Sequence, residues 1–520
     1  MRSNPGSRVL EELPTPAGVA DSFCDGVCTP AYPPGNPLAA RVGIGIGIGI
    51  GIGFGIEKLG EGRIGFDPDP DCDPDGEKRV PCRQPQPSRT SILKILPSSS
   101  LLASILNLQT STALALLLAA SVPGFSAGLG VLVEAGGRDR DGTAVSFPLP
   151  ASHRAGAWRM VPESGDPSAA VPVQVESTGI VGNDRGWFVV KDLPKGTSRK
   201  YRMEAATGPA PWVVRAITET NAVRLEVSGR PAFTYRTTPV PFPEGRVDLT
   251  PAFRRGGYIH PVMTPSGAVV TDDYPVNHRH HHGIWFAWSQ AVFEGRKTDT
   301  WNMGDQKGTV EFGGLDTTWS GAVHGGFRSL HSQVDLTSGT PRVMLGETWN
   351  VRVFAGGFPG GRAAHVFDVD VTDRCQSDAP VSLPKYRYGG IGFRGNWAWN
   401  GAGKMDFLNS EGTTRRDRGD NAATVGRWAW MGGTLGEGRA GLLVMGHPQN
   451  VHAPQPQRIH PDEPFLSMAP QQAGPVEITA ERPLTLRYRI AVFDGQPDVA
   501  EIERLWGDYA TPPSVRVASQ

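Results

Sequence analysis

Apolar and polar residues alternate with a period of two along much of the chain. Val171, Val173 and Val175 do so, as do Val223, Leu225 and Val227. Further on, Phe367, Val369 and Val371 enclose Asp368 and Asp370, and Leu484, Leu486, Tyr488, Ile490 and Val492 enclose Arg487 and Arg489. Successive side chains of a strand point to opposite faces, so each run predicts a half-buried antiparallel strand. Turn signals such as Gly182-Asn183-Asp184 and Pro194-Lys195-Gly196 separate the runs. A helical period occurs near the end. Pro497 suits a first helical position, and Val499, Ile502, Leu505 and Trp506 form an apolar stripe. The pattern predicts a mainly β fold: a small N-terminal β-sandwich over 128–247, then a large antiparallel β-sandwich over 248–520 with a C-terminal helix.

The first 127 residues follow another logic. Residues 1–90 contain the Gly-Ile/Phe alternation from Gly43 to Ile56 among Pro, Asp and Gly clusters. This predicts a disordered low-complexity extension, or sequence upstream of the true start. Residues 91–127 resemble an export signal. Arg89 and Lys94 supply positive charge, Leu114 to Val122 an apolar core, and Pro123 to Ala127 small residues for cleavage. The core falls short of the ~20 apolar residues of a spanning helix. The expectation is an exported protein with no stable membrane insertion once the signal is removed.

Composition narrows the function. The 66 glycines, 46 prolines and 13 tryptophans favour short strands joined by turns. A net charge of −1 gives no footprint for a nucleic-acid partner. Cys375 is the one cysteine beyond residue 90, which excludes a disulfide scaffold in the folded part. No GxGxxG follows a strand and no P-loop occurs, so no nucleotide cofactor is expected.

Candidate chemistry concentrates between Asp272 and Trp288. His278, His280, His281 and His282 fall there within five residues, followed by the apolar run Ile284-Trp285-Phe286-Ala287. That reads as a loop feeding a buried strand. In extended chain His278, His280 and His282 share one face, and His281 points the other way with Trp285. Imidazoles suit proton transfer near neutral pH, and His280 with His282 could hold one divalent metal ion. The catalytic candidates are therefore His280, His281 and His282, with His447 as a second source of imidazole. His278, Asn302, Lys385, Arg394, Asn450 and Arg458 are the candidates for substrate binding. Trp397, Trp399, Trp428 and Trp430 read as core or edge aromatics. A sheet face bearing Trp, Tyr, Arg and His suits a small-molecule sugar or an oligosaccharide, because rings stack on sugar faces and cations bind hydroxyls and carboxylates.

The string His260-Pro261, Ser266-Gly267, Asp273-Tyr274-Pro275 and His278-x-His280-His281-His282-Gly283-Ile284-Trp285-Phe286-Ala287 resembles a bacterial family labelled "methane oxygenase PmoA-like". Lys385, Gly389-Gly390, Phe393-Arg394, Ser410-Glu411-Gly412, His447-Pro448-x-Asn450 and Pro464-Phe465 are similar to its other blocks. The resemblance covers about residues 250–495. Tyr386 and Arg387 depart from it, where an acidic residue is expected. The label implies methane oxidation, yet the membrane subunit whose name it borrows has a set of spanning segments that this chain lacks. By analogy of architecture the chain is instead similar to sugar-processing supersandwiches of the mutarotase or lyase type. The leading expectation is an exported carbohydrate-active lyase, hydrolase or epimerase. Alternatives are a metal-dependent oxygenase, using His280, His282 and Asp299 or Glu294, and a non-catalytic glycan-binding module.

Overall fold

The computed structural model describes residues 128–164, 166–180, 182–414 and 424–517. The extension expected over 1–90 and the signal expected over 91–127 lie outside the described residues.

The alternating runs are strands. The bounds are Val171–Glu176, Ala222–Val227, His365–Cys375 and Leu484–Asp494. The described strands form large antiparallel sheets, and the fold is mainly β with one C-terminal α-helix. Two sheets make the main sandwich. The front sheet has nine strands, in the order Thr424–Val425, Pro456–Ile459, Phe465–Met468, Gly390–Arg394, Ile284–Ala287, Tyr258–Val262, Arg230–Arg236, Ala222–Val227 and Val214–Glu219. The back sheet has eight, and its centre is Arg342–Phe354, His365–Cys375, Leu484–Asp494 and Gly438–Gly446. The core lies between them. Ile284, Phe286, Ile391, Phe393, Leu466 and Met468 from the front meet Trp349, Val351, Val369, Leu486 and Ile490 from the back. Burying these side chains is the main favourable term, roughly 1.5–3 kcal/mol each.

Alternation then dictates what the outer front face carries. With Ile284 and Phe286 in the core, Trp285 faces outward and joins Tyr258, Trp301, Tyr388 and Phe465 in a second apolar cluster. Gly392 makes room for it: a Cβ there would lie 2.6 Å from Trp285 and 2.8 Å from Trp301.

Residues 130–205 form the third layer, a seven-stranded sheet completed by Ser514–Val517. Its first and last strands come together, wrapping it around its own core of Val131, Val145, Phe147, Phe188 and Met203. The three strands over 214–236, placed with the small domain by the 247/248 boundary, are hydrogen-bonded into the front sheet through Arg230–Arg236 and Tyr258–Val262. A period of two shows a strand to be half-buried but not which sheet it joins.

The helix is Val499–Ala510. Asp498 caps it, its carboxylate accepting from the N–H groups of Ala500 and Glu501. Pro497 therefore precedes the cap rather than opening the helix. Ile502, Leu505 and Tyr509 pack against Trp428, Trp430 and Phe493 on the outer back face. Val499, expected in the stripe, is 49% exposed. Trp399, Trp428 and Trp430 are core as expected, and Trp397 is exposed.

Candidate functional site

The histidine loop is pinned to the edge of Gly390–Arg394. Asp272 N–H donates to the Arg394 carbonyl, Arg394 N–H to the Gly283 carbonyl, and Gly283 N–H to the Asp272 carbonyl. Gly283 is required where the loop enters the strand Ile284–Ala287: φ is +28°, and a Cβ would lie 2.1 Å from the Ile259 carbonyl oxygen. Within the loop the chain is not extended. His281 N–H donates to the His278 carbonyl, closing a turn. This corrects the expected shared face of His278, His280 and His282. The turn instead stacks His278 on His281, with ring centroids 4.6 Å apart, and sends His282 elsewhere. The expected proximity of His281 to Trp285 holds, at 4.7 Å.

The histidines divide into two groups, each with a carboxylate. In the inner group, His282 Nδ1 lies 2.7 Å from Asp273 Oδ1, and Tyr258 Oη donates to Asp273 Oδ2 at 2.7 Å. Burial alone would raise the Asp273 carboxyl, but the hydrogen bond and charge of His282, with His260 and Tyr258, hold it below the usual range. Burial depresses the His282 imidazole. Its Nε2 is buried without a hydrogen-bond partner, between Tyr258 and Tyr274.

The outer group is built on Glu463. Its Oε2 lies 2.6 Å from His278 Nδ1 and accepts from Arg394 Nη1 at 2.9 Å. Arg394 Nη2 donates to Asn277 at 2.8 Å. Burial works against the Glu463 charge, but the hydrogen bond and charge of His278, then His460 and Arg394, outweigh it and hold the carboxyl low. Asp272, on the same loop, is shifted the other way by burial. His280 and His460 approach the His278 ring at 5.9 and 5.8 Å. His281 is buried, with its imidazole pushed far down by burial and then by its neighbouring histidines. Stacked on Phe465 at 4.8 Å, it separates the outer group from the aromatic floor. His281, one of the expected catalytic candidates, is placed in a stack between His278 and Phe465.

Other expected residues scatter. Arg394 is at the centre. Arg458 is buried on Pro456–Ile459, two strands away in the same sheet. His280 is half-buried, and Lys385 is exposed. Asn302 is engaged with Asp299, which accepts from its side chain and backbone. Asn450 exchanges hydrogen bonds with the Arg487 backbone, which makes it a loop tie and not a binding group. His447 follows the back-sheet strand Gly438–Gly446 and lines a different cleft. The proposed metal ligands also separate, since His282 belongs with Asp273 and His280 with His278. Asp299 serves nearby backbone N–H groups, and Glu294 pairs with Arg296 and Arg342. Among the described residues no group of three or more His, Cys, Asp or Glu is arranged to hold a metal ion. Sequence reasoning missed Glu463 and the partnering roles of Asp273 and Tyr258. A carboxylate directly before Pro464-Phe465 was the available signal for Glu463.

The arrangement offers two carboxylate–imidazole pairs, the standard means of orienting a ring and moving one proton. In the inner pair His282 is fully buried and the Asp273 side chain is 10% exposed. In the outer pair the Glu463 side chain is 13% exposed, and half-buried His280 adjoins it.

A family model described as "Family of unknown function (DUF6807)" matches residues 222–507. No curated protein matches. Among solved structures, the chain aligns with an alpha-mannosidase from Enterococcus faecalis V583 at 9% identity and a TM-score of 0.36, covering 76% of this chain and 46% of that one. A glycosyl hydrolase family 38 protein from Enterococcus faecalis aligns at 10% identity and 0.39, covering 76% and 47%. The chain thus spans less than half the length of both. No described helix is long and apolar enough to cross a membrane.

Proposed function

The chain belongs to this family of unknown function, whose model covers more than half of it, and from that premise we propose a carbohydrate-active enzyme working by proton transfer at the outer histidine group. One observation carries the reading. Glu463 is shared by His278 at 2.6 Å and Arg394 at 2.9 Å at the rim of an aromatic sheet face. Glu463 orients His278, and the hydrogen bond and charge of His278, then His460 and Arg394, hold the Glu463 carboxyl low. His278 is then the proton donor and acceptor, with His280 beside it. Asp272 and Glu463 have carboxyl groups shifted in opposite directions, the pattern of an acid and a base at one site. Sugars fit because each hydroxyl both donates and accepts, matching a rim of imidazole, carboxylate and amide. Epimerisation, elimination and hydrolysis all need such a group. Export, carried over from the signal-like segment, would place the enzyme among extracellular or periplasmic glycans.

The test is turnover of a panel of neutral and uronate oligosaccharides by the wild type, Glu463→Gln and His278→Ala. We expect kcat to fall by about 10²–10⁴ in each variant, with KM changing far less. Turnover unaltered in both variants would remove the assignment. Retained glycan binding with no turnover in any protein would favour the binding-module alternative.

A further inference from the structure

A second site lies on the other side of the sandwich. Between the outer back face and the N-terminal sheet is a cavity of about 460 Å³, within the usual range of roughly 300–1,000 Å³ for small-molecule sites. Asp368 and Asp370 line it from His365–Cys375, Arg487 and Arg489 from Leu484–Asp494, and Arg185 and Trp187 from the N-terminal sheet.

Most charges here have partners. Arg489 donates to both Asp368 oxygens, at 2.7 and 3.0 Å, and its guanidinium lies over the Phe354 and Tyr509 rings. Arg185 donates twice to Ser146. Asp508, also lining the cavity, accepts from Arg140 and Thr143. Asp370 and Arg487 differ. They are direct cross-strand partners on one face, yet neither side chain makes a hydrogen bond or ion pair among the described residues. A carboxylate and a guanidinium thus face the cavity side by side, an acceptor and a donor without a match.

We propose that this cleft binds a neutral polyhydroxylated ligand, a mono- or disaccharide, with hydroxyls donating to Asp370 and accepting from Arg487. The lining charges balance, with Asp368, Asp370 and Asp508 against Arg185, Arg487 and Arg489, so a net-charged ligand has nothing to neutralise it. Hydroxyls supply donor and acceptor together, and Trp187 and Val189 cover apolar sugar faces. His447 belongs to this cleft, its imidazole held down by burial and then by Arg487, and so contributes as a neutral group. Burial and then Asp368 push the Asp370 carboxyl up to about 6, with Arg487 opposing the shift.

The experiment is calorimetric titration of the full chain with glucose, galactose, mannose, maltose and cellobiose, and with glucuronate as the charged comparator. The proteins are wild type, Arg487→Ala and Asp370→Asn, with Arg487→Gln and Asp370→Ser as second variants should either cleft substitution fail to fold. The expected result is binding of at least one neutral sugar, weakened about tenfold or more in the cleft variants. The inference is overturned if no neutral sugar binds at about 10 mM, if the cleft variants bind as wild type does, or if glucuronate binds more tightly than glucose. Sugar binding that the cleft variants leave unaltered would assign the sugar to another face and leave the proposed function standing.

Discussion

His365 opens the strand His365–Cys375 with both ring nitrogens buried and without hydrogen-bond partners. Burial lowers its imidazole to about 4. In the unfolded chain the ring titrates near 6.5, so between those values the unfolded state binds the extra proton. Its contribution to stability is therefore whole above pH 6.5 and lost as pH falls toward 4. His365→Leu should match the wild type within about 1 kcal/mol at pH 8. At pH 4.5 it should be more stable, by an amount on the order of 1–3 kcal/mol. Urea midpoints at the two pH values check this, and a pH-independent difference would show that the ring is not held neutral. The same physics, burial of imidazole, depresses His281 in the histidine loop.

At the scale of elements, the C-terminal helix is fastened to the N-terminal sheet by one buried ion pair. Arg140 Nη1 donates to Asp508 at 2.6 Å, and its other nitrogens donate to the carbonyls of Ala135 and Thr511. Asp508 also accepts from Thr143 at 2.7 Å. Arg140→Ala leaves a buried carboxylate without its cation, which costs about 3–5 kcal/mol. The double change Arg140→Leu with Asp508→Leu should recover most of that loss, because desolvation of both charges disappears together. Thermal unfolding of the single and double variants tests the pair. A single variant within about 0.5 kcal/mol of wild type would mean that the helix is held by Ile502, Leu505 and Tyr509 alone.

From residue 128 onward the described sheets stack in three layers, with polar chemistry on both outer sides of the sandwich. The front face belongs wholly to the span matched by the family model, whereas the cleft also needs Arg185 and Trp187 from outside it. Asp370 faces the N-terminal sheet across this cleft and is shifted chiefly by burial. Its folded carboxyl, at about 6, lies above its unfolded value near 3.9. The native state therefore binds more protons in that window, and stability rises as pH falls through it. Above pH 6 the ionised group carries its full cost against Asp368, offset in part by Arg487, Arg352 and Arg489. Asp370→Asn should raise the melting temperature at pH 7, with the gain fading as pH drops from 6 to 4. A gain that persists at pH 4, or none at pH 7, would show that Asp370 is not desolvated by the interface.

Sequence alone determined the strands. Burial on one face writes itself into alternate residues, so Phe367, Val369 and Val371 mark a strand in any context, and Ile502 with Leu505 marks a helix side. It also located the histidine loop and Gly283. Tertiary structure decided the rest, because a period of two carries no partner's name. The strands over 214–236 read the same in either sheet. His447 was sent to the back because Gly438–Gly446 pairs with Leu484–Asp494. Glu463 reaches His278 and Arg394 because Phe465–Met468 pairs with Gly390–Arg394, which in turn pairs with Ile284–Ala287. A turn whose hydrogen bond runs from His281 to His278, rather than extended chain, chose which imidazoles meet. Contacts between residues distant in sequence are set by sheet order and loop closure, and neither leaves a local pattern to read.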